Sequence, residues 1–544
     1  MKILKLINTV KYLKFIQIYY RLYYLFLKPS VKQTVFKTQL RYAAQNWENA
    51  IPKPISMLSP TQFLFLNYPG QLNTAEDWNS NQQEKLWLYN LHYFDDLNAE
   101  NASDRVEWHK NTIQKWIDQN PYAKGNGWEP YPNSLRIVNW VKWSLQGHQF
   151  TEQQLQSLVL QAEHLSKTVE WHILANHLFA NAKALIFAGL FFDTIESKKW
   201  LAQGLKIYHQ EIDEQVLADG ANFELTPMYH AIFLEDLLDL YQLITRCYAQ
   251  TGLIDVEHLK TKIIKMLDWL KYMSHPDGEI SFFNDATFGI ASTYENLKIY
   301  AEKLNIFVPV SESQDRYLKQ SGYIVVEKPS YKFIMDVAEV GPSYQPGHAH
   351  ADTLSFELSI LGSRFIVNSG ISQYGLGSER LHQRSTAAHN TIEIDQQNSS
   401  EIWSGFRVAR RVSPKLDHIN FELGQITEFS ASYKSLEHVV HRRAVRFVDD
   451  QIILKDDLHG QFNSAVSYFY FHPDVTINKA QDNSYVCDLM GHTIEIQLKG
   501  DIEANLLNSF WHPEFGKSVP NNCLKINLLS NNYEILISCR SLGF

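Results

Sequence analysis

The stretch that decides the fold opens with Tyr344-Gln-Pro-Gly-His348-Ala-His350-Ala-Asp352, continues as Phe365-Ile-Val-Asn368-Ser-Gly370 and closes with Arg384-Ser-Thr-Ala-Ala-His389-Asn390-Thr. Short apolar runs at 354–360 and 365–367, with a glycine between them, predict two strands joined by a turn. His348 and His350 are two positions apart, so on an extended segment their side chains point to the same side. Because sites are usually built at strand ends and loops of a rigid sheet, the stretch predicts a functional site.

Histidines taken one at a time do not define a site. A single histidine in a sheet is most often an ordinary residue satisfied by hydrogen bonds. A His-x-His pair followed by a third histidine behind a glycine-bounded turn is a more specific pattern. The combination of His348, His350 and His389 therefore favours a site that carries chemistry.

The periodicity of the sequence changes along the chain. From about 87 to 303 apolar residues recur every three or four positions, with the clearest helices predicted at 175–192, 229–251 and 256–273. After about 313, short alternating runs separated by Asn, Asp and Gly predict antiparallel strands stacked as a sandwich. We therefore predict an N-terminal extension at 1–55, a helical domain at 56–304 and an antiparallel β-sandwich domain at 318–544.

Composition narrows the class of protein. A chain of 544 residues is long enough for two domains, and 45% hydrophobic with 20% charged residues is typical of a globular protein. The net charge of −9, without a basic block, argues against nucleic acid as a partner. The four cysteines are scattered, which predicts neither a disulfide framework nor a zinc cluster. An acidic substrate would therefore need a locally basic cleft.

Residues 1–30 are basic and aromatic. Their apolar run is interrupted by Gln17 and Arg21, so it predicts neither a cleavable signal peptide nor a membrane span. The favoured interpretation is a helix that packs its Tyr and Leu face on the protein body. A helix lying on a membrane surface is the alternative.

Three segments of the helical half carry more polar groups than packing requires. They are Trp128-Glu-Pro-Tyr131-Pro-Asn-Ser-Leu-Arg136, Asn176-His177-Leu-Phe-Ala-Asn-Ala-Lys183 and Glu224-Leu-Thr-Pro-Met-Tyr229-His230. Each residue has a structural explanation when taken singly, as a helix cap, a core phenol or a solvated charge. Together the segments supply the carboxamide, phenol, imidazole and guanidinium groups that a carboxylated sugar requires.

These motifs resemble the heparinase II/III-like family of polysaccharide lyases. The resemblance covers nearly the whole chain, includes the late stretch Trp511-His-Pro-Glu-Phe-Gly516, and is strongest toward the branch found with bacterial surface-polysaccharide genes. It implies an α+β fold, in which an incomplete (α/α) toroid of helices is followed by an antiparallel β-sandwich. It also implies β-elimination at a uronic acid of an acidic polysaccharide, in a cleft between the domains, with the bacterial cell envelope as the setting.

The resemblance also assigns roles to residues. β-Elimination needs a neutraliser for the uronate carboxylate, a base and an acid. Asn176 matches the family's neutraliser, with Arg136 to assist, while Tyr229 and His348 match its catalytic tyrosine and histidine. As a base, Tyr229 would need its pKa lowered, which a nearby cation would do. The expected substrate-binding residues are Trp128, Tyr131, Arg136, His177, Glu224 and Arg384.

By the same resemblance, zinc-binding members of the family place one divalent metal ion at His350, Asn368 and His389. Asn368 departs from the family pattern, in which an aspartate ligand is expected. An amide oxygen is a poorer zinc ligand than a carboxylate. Zinc, a harder cation and no metal at all therefore stay open, and no organic cofactor is expected.

Two other functions remain open at the level of sequence. A glycoside hydrolase would need two opposed carboxylates, for which Glu129, Glu224 and Asp285 are available without an evident pair. A carbohydrate-binding or assembly protein could keep the lyase fold without turnover. The polysaccharide, endo or exo action and the oligomeric state are left open.

Overall fold

The computed structural model describes residues 2–27, 29–32, 34–250, 252–309 and 315–539. Its first half consists of helices and one small three-stranded antiparallel sheet. In chain order the elements are α1 (Lys2–Val10), α2 (Phe15–Phe26), β1 (Met57–Ser59), β2 (Gln62–Phe65), β3 (Tyr68–Gln71), α3 (Lys85–Tyr93), α4 (Val106–Gln119), α5 (Pro130–Leu145), α6 (Glu152–Thr168), α7 (Ala175–Phe191), α8 (Ile195–Gln215), α9 (Pro227–Gln242), α10 (Val256–Tyr272) and α11 (Tyr294–Lys303).

The second half is dominated by strands, and its one longer helical segment is α12. The elements are β4 (Arg316–Leu318), β5 (Tyr323–Lys328), β6 (Tyr331–Asp336), β7 (Phe356–Ile360), β8 (Ser363–Ile366), α12 (Ser378–Gln383), β9 (Ile392–Ile394), β10 (Ile402–Trp403), β11 (Arg407–Val408), β12 (Lys415–Glu422), β13 (Gln425–Lys434), β14 (Val440–Val448), β15 (Gln451–His459), β16 (Ala465–Tyr470), β17 (Val475–Gln481), β18 (Ser484–Leu489), β19 (His492–Lys499), β20 (Ile502–Glu514), β21 (Lys517–Leu528) and β22 (Asn532–Cys539).

Two helix starts in the first half position the site described below. Helix α7 is buried on all sides over 178–191, as expected for a helix that is apolar all round and lies at the centre of its domain. Helix α9 begins after Thr226, whose side chain accepts the N–H of Tyr229 at 3.5 Å, with Pro227 at the first helical position. The cap fixes where α9 starts and thereby places Tyr229 in its first turn.

The described strands of the second half pair antiparallel and form a sandwich. An eight-stranded sheet has the order β12-β13-β14-β15-β22-β19-β18-β17, and a five-stranded sheet has the order β4-β5-β6-β7-β8. A four-stranded sheet of order β20-β21-β16-β9 lies beside them. Their apolar faces share one buried core, in which Phe333 packs on Phe356 at a centroid distance of 5.0 Å and on Phe447 at 5.6 Å.

The two halves are joined by an apolar contact of their own. Trp269 of α10 is fully buried against Tyr323 of β5, with centroids 5.9 Å apart, and its indole N–H donates to Ser321 at 3.0 Å. Ile334 of β6 belongs to the same cluster. This packing fixes the helical half against the sandwich. We use the word cleft for the place where Tyr229 of the helical half meets His348 of the sandwich half, whose side chain is partly exposed.

The predicted fold class is confirmed: helices are followed by an antiparallel sandwich. The helices predicted at 175–192 and 256–273 are α7 and α10, whereas the one at 229–251 is interrupted, because α9 ends at Gln242 and a π-helical turn, Leu243–Cys247, follows it. The helices of the first half end at Lys303 and the strands of the second begin at Arg316. The exact domain limits stay predictions.

Candidate active site

A buried carboxylate, Asp285, organises the cleft between the two halves. Its side chain is fully buried and accepts hydrogen bonds from both terminal nitrogens of Arg380, with Nη2 at 2.7 Å. Nδ1 of His348 lies 2.9 Å from one carboxylate oxygen, and Nε2 of His350 lies 2.8 Å from the other. Burial disfavours the charge, but Arg380 and the two imidazoles outweigh it and hold the pKa of Asp285 well below its usual value. Asp285 is a fixed anion that orients two histidines.

His348 is the histidine of this group that reaches the cleft, with 13% of its side chain exposed. Because the Asp285 carboxylate only accepts, Nδ1 of His348 carries the proton that faces it, and Nε2 is the nitrogen left to exchange a proton. Nε2 lies 3.7 Å from Oε2 of Glu224. The ring stacks on Tyr229 at a centroid distance of 3.8 Å. Nε2 is therefore placed to accept a proton from a bound molecule.

Tyr229 brings a phenol from the helical half into contact with the sandwich half. Its hydroxyl lies 3.0 Å from the hydroxyl of Tyr374, which precedes α12. Burial, with Tyr374 beside it, raises the pKa of Tyr229 well above its usual value. The lowered pKa that Tyr229 would need as a base is not found in this arrangement, because the neighbour of the phenol is another phenol and Arg380 is engaged by Asp285. Tyr229 is held in its protonated form.

Asn176 and Glu224 form the opposite wall of the cleft. Asn176 lies in the first turn of α7, directly after Leu174 and Ala175, whose φ angles of 69° and 51° are left-handed. Such conformations cost about 1–3 kcal/mol each and persist where the surroundings enforce them. The backbone N–H of Asn176 donates to Glu224 Oε1 at 3.2 Å, and its side-chain oxygen accepts from His177 at 2.9 Å. That leaves the amide N–H groups of Asn176 to donate to a ligand.

Glu224 is unusual because one of its oxygens is unsatisfied. The residue is 1% exposed, and Oε2 has no hydrogen-bond partner among the described residues. Burial raises the pKa of Glu224, and the neighbouring His348 offsets this only in part. Among the described residues Oε2 of Glu224 is therefore free to bond a ligand, donating a hydrogen bond when protonated and accepting one when ionised.

His177 and Tyr131, two of the expected substrate-binding residues, lie together beside this wall. Their rings are 4.5 Å apart, and Nδ1 of His177 lies 3.0 Å from Glu170. Burial would lower the pKa of His177, but Glu170 outweighs it and the pKa is raised. The pairing with Glu170 therefore favours the protonated form of His177, which follows Asn176 directly in the chain.

The three residues predicted to bind a metal are all buried, but only two of them face each other. Nδ1 of His350 lies 3.1 Å from Nε2 of His389. The amide of Asn368 donates to Phe282 O at 2.9 Å, and its oxygen accepts from Asn390. Within the described ranges, no three His, Cys, Asp or Glu side chains are grouped to hold a metal ion. Two imidazole nitrogens without a third donor do not fit a zinc site. We assign no catalytic step to a metal, and metal binding stays a prediction.

Three expected substrate-binding residues are structural instead. Trp128 is 5% exposed, packs on Trp116 and donates its indole N–H to Asn120 O at 3.3 Å. Arg136 is fully buried, lies 3.8 Å over the Trp116 ring and donates to Gln161 and Gly127 O, so it cannot assist Asn176. Arg384, also fully buried, donates to the carbonyls of residues 349, 404 and 405. In all three residues the side-chain donors are buried and already hydrogen-bonded to the protein, so a role in binding substrate stays a prediction that this packing does not favour.

Two important residues of the site escaped sequence reasoning. Tyr374 and Arg380 lie in 370–383, between the quoted motifs, where no periodic or spaced pattern marks them. The sequence marks Asp285 only as one of three carboxylates available to a glycoside hydrolase. The spacing Tyr-x₅-Arg carries no general signal, so only the contacts with Tyr229 and Asp285 identify them.

Comparison with known proteins agrees with this architecture. The family model described as Heparinase II/III N-terminus matches residues 39–314, and the model Heparinase II/III-like, C-terminal matches residues 311–534. The chain belongs to the heparinase II/III family. It is 26% identical over 509 residues to a heparin-sulfate lyase of Bacteroides stercoris, covering 81% of this chain and 73% of that one. It is 24% identical over 326 residues to a heparin-sulfate lyase of Pedobacter heparinus, covering 56% of this chain and 46% of that one.

Solved structures show the same fold. A crystal structure of heparinase III superposes with a TM-score of 0.66 at 18% identity, covering 87% of this chain and 79% of that one. A heparan sulfate lyase from Pedobacter heparinus superposes with a TM-score of 0.58 at 18% identity, covering 88% and 81%. The helical half followed by the antiparallel sandwich is therefore the fold of this family.

Proposed function

We propose that this cleft cleaves an acidic polysaccharide by β-elimination at a uronic acid, with His348 as base, Tyr229 as acid, and Asn176 with Glu224 as neutralisers of the uronate carboxylate. The protein is a polysaccharide lyase of the heparinase II/III family, and the relatives named above are heparin-sulfate lyases. The observation that carries the residue assignment is the stack of Tyr229 on His348 at 3.8 Å, since the two residues come from different halves of the chain.

Neutralising the substrate carboxylate is the first requirement, because a proton next to a carboxylate is only weakly acidic. Negative charge grows on that carboxylate as the C5 proton leaves, and donors aimed at the charge stabilise it. The Asn176 amide supplies N–H donors. Burial raises the pKa of Glu224, and in its protonated form this side chain would donate a second hydrogen bond to the uronate.

The proton transfers follow from the hydrogen bonds. Nε2 of His348 takes the C5 proton, and the imidazolium that forms is stabilised by Asp285 at 2.9 Å from Nδ1. The electron pair of the C5–H bond forms the C4–C5 double bond as the C4–O bond breaks. Tyr229 gives its phenol proton to the leaving oxygen, and Tyr374 donates a hydrogen bond to the phenolate that results. Proton return from His348 to Tyr229 resets the site.

The alternatives weighed on the sequence fit the site less well. A glycoside hydrolase needs two carboxyl groups free to act on substrate and water. Both oxygens of Asp285 are occupied by Arg380 and two histidines, and Glu129 is bonded to Lys85 and Tyr89. Glu224 is thus left without a free partner among the three candidate carboxylates. A binding protein without turnover would not need a Tyr–His stack backed by a buried carboxylate.

The test is a screen of uronate-containing bacterial polysaccharides for products that absorb in the ultraviolet as 4,5-unsaturated uronates do. We expect absorbing product from at least one acidic polysaccharide. New reducing ends without that absorbance would indicate hydrolysis, and binding without either product would indicate a non-catalytic protein. Both results would contradict the proposal.

A further inference from the structure

Helix α2 has two apolar faces, and the protein covers only one of them. On the inner face Gln17 is fully buried and donates to Ile173 O at 3.2 Å, and Tyr24 donates to Val169 O at 2.7 Å. On the outer face, positions three and four apart stay exposed, with Phe15 at 80% and Leu25 at 70%. A half-buried amphipathic helix normally turns polar residues to the solvent side, and α2 does not.

Helix α1 continues the same surface. Its inner side is held to the sandwich half, where Trp403 donates to the Thr9 hydroxyl at 3.0 Å and Lys5 lies 3.8 Å from Glu401. Its outer side is apolar, with Ile3 at 76% exposed. We define the N-terminal apolar face as the exposed residues Ile3, Leu4, Leu6, Ile7, Val10, Phe15, Ile18, Tyr19, Leu22, Leu25 and Phe26.

The helices are firmly placed, so their exposed face is a property of the folded protein. Gln17 also donates to Tyr344 O at 3.4 Å, and Lys14 lies 3.9 Å over the Tyr344 ring. Through Tyr344 and Ile173, α2 touches both halves of the molecule. An apolar surface of this kind, held in place by the fold, is typical of an interaction site.

The positive charge of the N-terminal segment indicates which kind of partner covers the N-terminal apolar face. The first 47 residues contain nine Lys or Arg and no Asp or Glu, although the whole chain carries −9. Lys5 and Lys14 pair with glutamates of the protein body. Lys11, Arg21, Lys32 and Lys37 are exposed and form no ion pair within the described residues. Uncompensated positive charge is thus present at Lys11, directly after α1, at Arg21 within α2, and in the chain that follows α2.

We propose that the N-terminal apolar face docks the protein on an anionic lipid bilayer, with α1 and α2 lying in the plane of the interface. Exposed Leu, Ile and Phe enter the boundary of the acyl chains, while the basic residues meet the lipid phosphates. A second copy of the chain would bring the same positive charge against the first, which disfavours a dimer at this face. No helix among the described residues has the length and apolarity to cross a bilayer. The inference is independent of the proposed lyase reaction.

The experiment is co-sedimentation of the full chain with phosphatidylglycerol–phosphatidylcholine vesicles and with pure phosphatidylcholine vesicles. We expect binding to the anionic vesicles that falls with salt, since each Lys or Arg near such a surface contributes about fivefold to affinity. The triple variant Ile7→Glu, Leu22→Glu and Leu25→Glu should lose roughly 100-fold or more in affinity.

A matched control carries three glutamates at apolar positions exposed elsewhere, Phe307→Glu, Leu423→Glu and Met490→Glu, and should bind like the wild type. A second variant, Lys11→Glu, Lys32→Glu and Lys37→Glu, keeps the apolar residues and should lose on the order of 100-fold. Circular dichroism checks that all variants are folded, and their lyase activity in solution should be unchanged.

Three results would overturn the proposal. They are absence of sedimentation with either vesicle, equal binding to both vesicles, and equal loss in the control variant. A dimer in solution that the face variant converts to monomer, without vesicle binding, would assign the face to a second copy instead.

Discussion

Two fully buried aspartates, Asp285 in the cleft and Asp239 in the helical core, have similar surroundings and different roles. Both carry two or more cationic or proton-donating partners, and in both the pKa is lowered, for Asp239 to about 2. The cationic partners of Asp239 are Lys142 and Lys183, each at 2.5 Å, which are enclosed with it, and the Tyr300 hydroxyl also donates to it. Among the partners of Asp285 is His348, which reaches the cleft.

The two networks differ in whether a partner of the buried carboxylate can exchange a proton and reach the cleft, which is what a catalytic role requires. An ammonium paired with a carboxylate stays charged near neutral pH, so the Asp239 network only holds helices together. An imidazole can gain and lose a proton in that range, and the carboxylate behind it fixes which nitrogen does so. Substitutions in the Asp285 network should therefore impair catalysis, whereas those in the Asp239 network should impair only folding.

Removing the proton-transfer groups should abolish most activity. Tyr229→Phe and His348→Ala should each lower kcat about 10²–10⁴-fold, the usual size of a general acid–base contribution. Tyr300→Phe is the matched control, because it removes a buried phenol that donates to Asp239 at 3.1 Å instead of one in the cleft. Steady-state kinetics with thermal unfolding separate loss of chemistry from loss of fold. A Tyr229→Phe enzyme with wild-type kcat would refute the mechanism.

The two aspartates themselves should respond differently to amidation. Asp285→Asn and Asp239→Asn each leave buried cations poorly paired, which typically costs about 3–5 kcal/mol of folding free energy. Only Asp285→Asn removes the acceptor that sets the His348 tautomer, so only that variant should also lose kcat in its folded fraction. The checks are chemical denaturation together with activity per folded molecule. Equal loss of kcat in both variants would contradict the conclusion that only Asp285 supports catalysis.

The neutralising wall should contribute less than the proton-transfer groups. Asn176→Ala should lose about 3 kcal/mol of transition-state stabilisation if the amide acts like one oxyanion donor. Glu224→Gln keeps a donor and should retain most activity, whereas Glu224→Ala should not. Because these residues serve one transition state, their combination with Tyr229→Phe should be less than additive. Full additivity in the kcat/KM values would place them outside the site.

A smaller effect concerns pH and stability. Burial lowers the pKa of His92 and of His230 to about 3, and in each ring one nitrogen faces a carbonyl and the other accepts an N–H. Because the pKa of each histidine is lower in the folded protein than the unfolded value of 6.5, the stability that each neutral ring contributes is complete above pH 6.5. This stability is lost as the pH falls below 6.5. The unfolding free energy should drop by about 1.4 kcal/mol per pH unit per histidine between pH 6 and 4. Guanidinium unfolding measured at several pH values should show that the unfolding free energy of His230→Gln falls less steeply with decreasing pH than that of the wild type. The Asp239 network titrates only at lower pH and should not contribute in this range.

The smallest effect is expected from metal removal. Asn368 is engaged by Phe282 O and Asn390, so His350 and His389 lack a third donor. We expect purified protein to contain well under one zinc per chain, with activity unchanged by a chelator. Elemental analysis that finds a full equivalent, together with loss of activity on chelation, would establish the metal that the family resemblance suggests.

The sequence by itself was sufficient to predict the architecture and three of the residues that line the cleft. The change from a period of 3.6 to a period of 2 near residue 313 predicts helices followed by a sandwich, because each period reports which face of an element is buried. Asn176, Tyr229 and His348 stand in motifs that the resemblance to the family marks without any contact being known. Their convergence in one cleft agrees with that prediction.

Only the tertiary structure decided which charged groups serve the site. Arg380 and Arg384 are four positions apart, yet one guanidinium meets Asp285, 95 residues away, and the other binds backbone carbonyls. The pKa of Tyr229 is likewise set by a phenol 145 residues away and by burial. The pattern along a chain reports local periodicity, whereas the charge and protonation of a buried group depend on partners that only the folded packing brings together.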